Sequence, residues 1–530
     1  MAYALTIAAI VMFICIAFNN LSERLGVPVL LAFIVLGMIF GADGLVKIYF
    51  DNFVFAEKLC SVALIFIMFY GGFGTKWSSA KPVAKEAVLL STAGVVVTAG
   101  ITALFCRFAL KIPTLESCLI GSVISSTDAA SVFSVLRSKR LNLKYNTASL
   151  LELESGSNDP FSYMLTMTVL SMMSGEASGG AIFIMLIKQV VIGVIFGASI
   201  SLAAVKCMKK IRFGADGFDT IFILAAAILA YALPSMLGGN GYLSTYIVGI
   251  VLGNSRLKNK KAMVNFFDGI TGLMQMLIFF LLGLLAFPSK IPQIILPSLG
   301  IVLFLTFAAR PLAVFAILTP FRCSFKQQLL VSWAGLRGAA SIVFAVMAVI
   351  SRGNMDIDLF HIVFFIALFS ILVQGTLIPA AAKKLDMVDA EADVLKTFND
   401  YVEEVPVQFI QFKVPEEHIW CGKSVKDILL PPDSILVLLQ RNGEKIIPNG
   451  ETVICGNDYL VLGAKAPDVF HGVNLTELEI CEGNDSAGKT VRDIAPQPDK
   501  LVIMIQRNGE IIIPTGSTVI QKNDILVMNM

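Results

Sequence analysis

Long apolar stretches fill the first 383 residues and constrain the fold more than any other feature of this sequence. A bilayer core of about 30 Å needs a helix of roughly 17–25 apolar residues. Stretches of about this length alternate here with short polar breaks. We therefore predict an α-helical polytopic membrane protein. Its thirteen predicted spans are 2–18, 27–42, 57–74, 87–106, 118–136, 149–173, 181–204, 219–237, 241–254, 263–286, 292–318, 328–350 and 358–382.

The charge distribution divides the chain into two differently built parts. Residues 1–383 contain 28 Lys and Arg against 16 Asp and Glu, whereas the remainder contains 13 against 23. We predict a transmembrane domain over 1–383 and an acidic linker over 384–404, helical from Asp386 to Glu404. Two small α/β units are predicted to follow at 405–466 and 467–530.

Basic residues concentrate in alternate loops, which fixes the predicted orientation. The segments 137–144, 206–212 and 256–261 are rich in Lys and Arg, whereas 174–180 and 238–240 contain none. Cytoplasmic loops accumulate positive charge, so the N-terminus is predicted outside and the C-terminal units in the cytoplasm. Nine cysteines without paired spacing indicate neither a disulfide framework nor a zinc ribbon.

Ionisable residues inside apolar spans are candidates for function because charge is costly in a membrane. One of them, Glu152, lies near the cytoplasmic end of its span, so we expect it to reach water. We expect Asp128 and Asp159 to be functional. The six candidates are Asp128, Glu152, Glu154, Asp159, Arg310 and Arg337.

Two segments around these aspartates favour interrupted helices. Small hydroxyl residues fill Ser125–Ser131, and their side chains compete for backbone hydrogen bonds. The segment Glu154–Pro160 contains a Gly-Ser pair and a proline. Oxygen-rich side chains beside loosened backbone suit a partly dehydrated alkali cation, and a carboxylate there can hold a proton instead. This pattern predicts a site that exchanges H⁺ for a metal cation.

A third interrupted segment, Trp333–Ser341, lies in the twelfth predicted span. Its Gly-Ala-Ala-Ser sequence from Gly338 resembles the Asp-Ala-Ala-Ser sequence from Asp128, seven spans earlier. An odd separation makes the two segments run in opposite directions, as in inverted-repeat transporters with crossed broken helices. We expect Asp128 to face the positive half-helix ends and Arg337 the negative ones.

Three motifs in order resemble the NhaP-like monovalent cation/proton antiporters, most closely the potassium/proton group. They are Ser126-Thr127-Asp128, Glu154-Ser155-Gly156-Ser157-Asn158-Asp159-Pro160 and Gly335-Leu336-Arg337-Gly338. The resemblance covers residues 1–383. It implies a thirteen-helix fold, a homodimer and an elevator-like exchange of one cation for one proton.

The same resemblance implies a role for each motif residue in cation exchange. Asp159 is the carrier of cation and proton, and Thr127, Asp128 and Ser155 complete the cation site. Asn158 also belongs to this site and steadies the crossing helices. Asn158 occupies a position where electrogenic relatives carry a second aspartate, so electroneutral exchange is implied.

Three further charged residues have a structural role by this resemblance. Glu154 forms a buried ion pair, which we assign to Arg310, with Arg337 as the alternative partner. Arg337 is then left to neutralise the broken helix of the twelfth span. The third span carries Phe69-Tyr70-Gly71-Gly72 where some relatives have a carboxylate, so no ligand is assigned to it.

The C-terminal part contains a duplication with a constant offset of 66 residues. Gly422-Lys423-Ser424 recurs as Gly488-Lys489-Thr490, and Gln440-Arg441-Asn442-Gly443 recurs from Gln506. The runs Ser434–Leu439 and Leu501–Ile505 are predicted strands. The Asn-Gly pairs are predicted hairpin turns. The Gly-Lys-Ser/Thr segments are predicted short helices.

Each unit resembles the C-terminal subdomain of RCK (TrkA) modules, which regulate potassium channels and transporters. The resemblance implies paired subdomains that can bind a nucleotide or an ion, and a scaffold without a ligand is the alternative. The Gly-Lys-Ser/Thr segments lack the first glycine of a phosphate loop. We expect no transport cofactor. A regulatory nucleotide of unassigned identity is the candidate ligand.

Other functional classes fit the sequence less well. The Gly-x-Gly-Asp context of intramembrane aspartyl proteases, the T-V-G-Y-G filter of potassium channels and a zinc-binding H-E-x-x-H motif do not occur. We predict a multi-pass K⁺/H⁺ antiporter of a bacterial plasma membrane, with a Na⁺/H⁺ antiporter as the alternative. The expected partners are K⁺ or Na⁺, H⁺, lipid and a second copy of the chain. We expect no enzyme activity, transition-metal site or nucleic acid.

Overall fold

The chain forms two compact units, Met1–Val402 and Glu403–Met530. The computed structural model describes most of both. The described residues are 6, 9–17, 29–138, 141–175, 179–210, 217–255, 257, 259–351, 355–389, 407–431, 434–441, 444–465, 475–480, 486, 488–494, 501–507, 510–512, 514–522 and 524–529.

The first unit is helical, and helical residues 9–17 precede its first labelled element. Its helices are α1 Val29–Phe40, α2 Phe53–Gly74, α3 Trp77–Phe108, α4 Thr114–Val123, α5 Ala129–Ser138, α6 Thr147–Met173, α7 Gly179–Lys210, α8 Phe218–Met236, α9 Gly241–Gly253, α10 Lys260–Leu285, α11 Pro288–Leu318, α12 Phe325–Trp333, α13 Ala339–Ser351 and α14 Leu359–Lys384.

Seven of the described helices are long and apolar enough to cross a membrane: α2, α3, α7, α8, α10, α11 and α14. Four shorter apolar helices, α1, α4, α9 and α13, accompany them. The predicted helical, polytopic architecture is confirmed. The number thirteen stays a prediction, because part of the first predicted span lies outside the described residues.

Interruptions occur in the fifth and twelfth predicted spans, as the sequence predicts. The fifth span consists of α4 and α5, which are separated by residues 124–128. The twelfth consists of α12 and α13, which are separated by residues 334–338. The spans that precede them also correspond, because α3 and α11 contain the π-helical segments Leu90–Gly94 and Leu305–Ala309. This agreement supports an internal repeat.

The helices form two packing groups. In the first, α2 packs against α9 and α10, α1 packs against α10, and α7 and α8 pack against α9. In the second, α4 and α5 pack against α6, α3 packs against α4, and α11 and α13 pack against α14. Two helices of the second group form the boundary, where α6 contacts α9 and α13 contacts α2.

The predicted helical linker begins as a strand. Strand β2, Val388–Asp389, pairs antiparallel with β1, Asn142–Leu143, in the loop between α5 and α6. Asp386 lies 3.1 Å from Lys144 Nζ and 3.7 Å from Lys326 Nζ. Backbone pairing and these charges hold the start of the linker extended against the loop. The rest of the linker lies outside the described residues.

The second unit contains two four-stranded antiparallel sheets, with strand orders β3-β6-β4-β5 and β7-β10-β8-β9. This result confirms the predicted sheet-containing units, including the two predicted strand runs. The strands are β3 Val407–Lys413, β4 Ser434–Arg441, β5 Glu444–Ile446, β6 Tyr459–Lys465, β7 Leu475–Glu479, β8 Leu501–Arg507, β9 Glu510–Ile512 and β10 Ile525–Asn529.

An ion pair between an arginine and a buried aspartate explains part of the 66-residue repeat. In the first sheet Arg441 donates two hydrogen bonds of 2.8 Å to the carboxylate of Asp458. In the second, Arg507 donates bonds of 2.8 and 2.7 Å to Asp524. Both aspartates are fully buried. The repeated Arg and Asp residues therefore stabilise each sheet.

The Gly-Lys-Ser/Thr segments are not helical, contrary to the sequence prediction. Gly422 and Gly488 have φ values of +80° and +83°, which favour glycine. The N–H groups of these glycines donate to Ile454 O and Ile520 O, at 2.8 Å in both units. Each segment therefore forms a bridge to a neighbouring turn, and the short helical turns begin just after it, at Val425 and Val491.

We expect the Asp524→Asn variant to destabilise the second sheet. The change leaves the Arg507 guanidinium without its counter-charge, and hydrogen bonds to charged groups contribute about 1.5–3 kcal/mol. The free energy of unfolding of this sheet should fall by about 2 kcal/mol. Hydrogen–deuterium exchange of the β8 and β10 amides in the full-length protein measures the change.

The exposed pair between Lys426 and Glu451, with side chains 53% and 78% exposed, provides a control. The Glu451→Gln variant should change the free energy of unfolding by less than about 1 kcal/mol. The hydrogen bonds from Arg507 hold the pKa of Asp524 below the usual aspartate value. This stabilisation is therefore complete above about pH 4 and is lost as the pH falls through the lowered pKa. Equal effects of the two variants would contradict this account.

Candidate cation-binding site

The two broken helices meet at their interruptions. The N–H of Asp128, just before α5, donates a 2.8 Å hydrogen bond to Leu336 O, between α12 and α13. A Cβ atom at Gly338 would collide with the Asp128 carboxylate. Only glycine therefore allows this close approach.

The Asp128 carboxylate lies at the start of α5. It accepts a 2.5 Å hydrogen bond from Ser131 Oγ and a longer one, 3.4 Å, from Ser131 N. Gly338, which the carboxylate also contacts, immediately precedes α13. The negative charge therefore lies next to the N-terminal ends of both second half-helices, where the helix dipole favours it.

Arg337 is buried and acts across the interface between the two broken helices. Its Nη1 donates to Ser125 O at 2.8 Å and to Ser126 O at 2.6 Å. These carbonyls follow the C-terminal end of α4, where the dipole is negative. We expected Arg337 to neutralise its own broken helix, but its guanidinium hydrogen bonds go to the fifth span. The Arg337 N–H donates to Ser370 Oγ of α14.

Arg310 and Glu154 form a buried ion pair, with 2.6 Å between Nη2 and Oε1. Of the two arrangements that the sequence left open, the structure contains this one. Arg310 begins the regular helix that follows the π-helical segment Leu305–Ala309. A Cβ atom at Gly335 would lie 2.8 Å from Arg310 Nε. The guanidinium therefore lies against the interruption of the twelfth span.

Asp159 lies on α6 beside the interruption of the fifth span, and its side chain is buried. Ser126 Oγ donates a hydrogen bond to Asp159 Oδ1. Asn158 Nδ2 donates to Thr127 Oγ1, and Ser155 Oγ donates to Thr127 O at 2.5 Å. Thr127 N donates to Asn158 Oδ1 at 3.3 Å. Four of the five predicted cation-site residues therefore lie around one oxygen-rich contact between α6 and residues 126–127.

The fifth predicted residue, Asp128, accepts a hydrogen bond from Ser131 and contacts Gly338. Ser126, by contrast, contacts Asp159 directly and was not assigned to the site from the sequence. Its signal was present, because Ser126 opens the Ser-Thr-Asp motif. Hard oxygen ligands of this kind suit alkali cations. Within the described residues, no group of three or more His, Cys, Asp and Glu side chains could hold a metal ion.

Helix α6 is continuous through Glu154–Pro160, although the sequence indicated a weakened helix there. Proline removes one backbone donor, the N–H that would pair with Gly156 O, yet the helix continues to Met173. Neighbouring helices pack against this segment. The ring of Tyr246 on α9 packs against Gly156. Asn240 Nδ2 donates a 2.8 Å hydrogen bond to Pro160 O. Glu152, which we expected to reach water, is also buried on this helix.

Comparison with known proteins agrees with this architecture. Residues 9–384 match the profile of the transmembrane sodium/hydrogen exchanger family, and residues 409–469 and 475–528 match the TrkA-C domain. The chain belongs to the sodium/hydrogen exchanger family and carries TrkA-C domains. It is a monovalent cation/proton antiporter, a transporter and not an enzyme.

Among its relatives are two potassium/proton antiporters. The K(+)/H(+) antiporter NhaP2 of Shewanella baltica (strain OS223) is 34% identical over 86% of this chain and 80% of the relative. The K(+)/H(+) antiporter NhaP of Alkalimonas amylolytica is 32% identical over 87% of this chain and 81% of the relative. The fold resembles the sodium proton antiporter MjNhaP1 of Methanocaldococcus jannaschii, with a TM-score of 0.63, 24% identity, and coverage of 71% of this chain and 99% of that one.

We expect the Glu154→Gln variant to be destabilised because it leaves the Arg310 charge buried without a partner. Breaking such a pair costs about 3–5 kcal/mol. The double variant Glu154→Gln with Arg310→Gln should lose less than the sum of the two single variants. The fraction of protein that stays monodisperse after heating measures this. Additive losses would show that the two side chains do not stabilise each other.

We expect the Gly338→Ala variant to fold and to lose most of its transport. The new methyl group must displace the Asp128 carboxylate from the crossing of the broken helices. Cation-driven proton movement in vesicles should fall at least about tenfold, which corresponds to about 1.4 kcal/mol.

Gly71 provides the matched control, because a Cβ atom there would have no heavy atom within 4 Å. The Gly71→Ala variant should keep the wild-type rate within about twofold, less than 1 kcal/mol in the barrier. A Gly338→Ala protein of undiminished rate would show that the Asp128 position is unimportant.

Proposed function

We propose that this protein exchanges K⁺ for H⁺ across the membrane and that Asp159 carries the two ions alternately. The burial of Asp159 carries this proposal. Within the described residues no basic side chain forms an ion pair with it, and Arg310 and Arg337 are engaged by Glu154 and by backbone carbonyls. A buried carboxylate is stable at membrane depth only if a proton or a cation neutralises its charge.

Competition between the two ions for one carboxylate accounts for antiport. When Asp159 is ionised, the hydroxyl and amide oxygens of Ser126, Thr127 and Asn158 are available near it to replace cation hydration. When a proton occupies the carboxylate, the cation loses its principal charged ligand. One carboxylate with a neutral neighbour at Asn158 supports exchange of one K⁺ for one H⁺ without net charge movement. Asp128 and Ser155 complete the site in this proposal.

The two packing groups support an elevator-like movement. The group with α3–α6 and α11–α14 contains both broken helices and all the charged residues of the site. The group with α1, α2 and α7–α10 contacts it through α6 and α13. Movement of the first group against the second would expose Asp159 to each side of the membrane in turn.

Potassium is the proposed cation because relatives at 34% and 32% identity are named potassium/proton antiporters. Sodium is the alternative. The Na(+)/H(+) antiporter 1 of Methanocaldococcus jannaschii is 28% identical over 62% of this chain. Selectivity between two alkali cations depends on cavity size and on the number of ligands.

Regulation by the C-terminal units is part of the proposal. The pairing of β1 with β2 and the Lys144–Asp386 ion pair attach the start of the linker to the loop between α5 and α6. A ligand at the TrkA-C domains, a nucleotide or an ion, would therefore act through the linker on helices of the site. We place the protein as a homodimer in a bacterial plasma membrane, with the N-terminus outside and the TrkA-C domains in the cytoplasm.

The Asp159→Asn variant tests the exchange reaction. The purified protein is reconstituted in vesicles that contain a pH-sensitive dye, and K⁺ or Na⁺ is added outside. We expect cation-driven proton movement in the wild type and its loss in Asp159→Asn, because the amide cannot hold a proton or a cation charge. The ion with the lower half-saturating concentration identifies the substrate.

Asp219 provides the control carboxylate, since it is 7% exposed, as Asp159 is, and lies at the start of α8. The Asp219→Asn variant should still exchange ions. Persistent exchange by Asp159→Asn would refute the carrier role. A wild type without proton movement would be tested again after deletion of residues 405–530, and continued inactivity would refute the antiporter proposal for these two cations.

A further inference from the structure

Asn240 is a buried polar residue at the boundary between the two packing groups. It lies just before α9, at the end of the short connection from α8, and its side chain is fully buried. Both helices belong to the group that lacks the cation site. The sequence contains a signal for this position, the run Gly238-Gly239-Asn240-Gly241.

The backbone and the side-chain oxygen of Asn240 are fixed within its own group. Its N–H donates a 3.1 Å hydrogen bond to Gln189 O of α7. Its Oδ1 accepts a 3.0 Å hydrogen bond from Leu243 N and caps α9. The two flanking glycines pack closely, since a Cβ at Gly241 would lie 2.5 Å from Tyr231 O. Asn240 is therefore rigidly placed.

The side-chain amide reaches the other packing group. Asn240 Nδ2 donates a 2.8 Å hydrogen bond to Pro160 O, a buried contact. Pro160 follows Asp159 directly on α6. The amide of one group thus holds the backbone of the carrier helix of the other, one peptide unit from the proposed carrier carboxylate.

This contact cannot persist if the two groups move past each other. A neutral hydrogen bond tolerates a donor–acceptor separation of about 3.2 Å and weakens steeply beyond it. A displacement of α6 along α9 by even one helical turn, about 5.4 Å, would break the bond. The bond therefore stabilises the conformation described here relative to any displaced one.

We propose that Asn240 is a positioning residue that latches the carrier helix α6 to the first packing group, α1, α2 and α7–α10, in one conformation of the transport cycle. The proposal rests on the alternating movement proposed above. The two polar atoms of the Asn240 side chain have different roles. The capping oxygen stabilises the start of α9, whereas the Nδ2 group sets the relative populations of the two conformations.

The Asn240→Ser variant separates the two roles, because serine retains an N-capping oxygen and lacks the amide donor. Asn240→Thr is a second variant, which also keeps an N-capping oxygen and lacks the amide donor. Spin labels are placed at Met172→Cys on α6 and at Leu237→Cys before α9, since both residues are exposed. The nine native cysteines are replaced in this background, whose ion exchange is verified first.

Pulsed electron paramagnetic resonance on the reconstituted full-length protein gives the populations of the label distances. In the wild type we expect two distances whose ratio changes with K⁺ and pH. In Asn240→Ser the ratio should shift by about fivefold away from the conformation described here, the factor that corresponds to one net buried hydrogen bond. Asn240→Thr should shift it in the same direction.

Asn52→Ser serves as the matched control, since Asn52 caps α2 with a 2.9 Å bond from Phe55 N. It should leave the ratio unchanged. A ratio within twofold of the wild type in both Asn240 variants would overturn the latch, as would a single distance under every condition. A failure of the proposed function is distinguished by the separate ion-exchange experiment, in which persistent exchange by the Asp159→Asn variant refutes the carrier role.

Discussion

The interior of this membrane unit depends on one constraint: every charge and every unpaired carbonyl at membrane depth needs a partner within the protein. Helix breaks create both positive and negative half-helix ends, and the structure meets them with side chains from the other half of the chain. Arg337 serves the carbonyls that follow α4, and Asp128 lies at the starts of α5 and α13. Glu154 and Arg310 neutralise each other. Among the described residues Asp159 has a hydroxyl partner and no counter-charge, which leaves its charge to be set by the transported ions.

The second unit also contains buried charges that need partners within the protein. Each sheet buries one aspartate, and each aspartate receives two hydrogen bonds from an arginine on a neighbouring strand. Arg441 and Arg507 occupy equivalent positions of the repeat, as do Asp458 and Asp524. The repeats are therefore identical where a buried charge must be matched, and also at Gly422 and Gly488, which have positive φ. These residues maintain the sheets.

The sequence predicted the architecture where the signal was local. Runs of Ser and Thr before Asp128, and of Gly around Arg337, predicted both interrupted spans, and the hydroxyl and carboxyl residues of α6 were recognised as a group. Predictions from the sequence were wrong where the structure depends on packing between segments that are distant in the chain. Helix α6 continues through Pro160, although the local sequence indicated a weakened helix. The target of Arg337 is 211 residues away in sequence, and no local pattern indicates which carbonyls a guanidinium will reach.

Charged and carbonyl groups in the first half of the domain have their partners in the second half, and this arrangement also constrains biosynthesis. When the fifth and sixth spans leave the ribosome, Arg310 and Arg337 have not been made. Until the eleventh and twelfth spans follow, Glu154 and the carbonyls of Ser125 and Ser126 lack the groups that neutralise them in the finished protein. The first half of the domain therefore cannot reach its final packing in lipid on its own. Its spans must stay beside the insertion machinery, or in contact with water, until the second half arrives, and the two halves then complete their fold together.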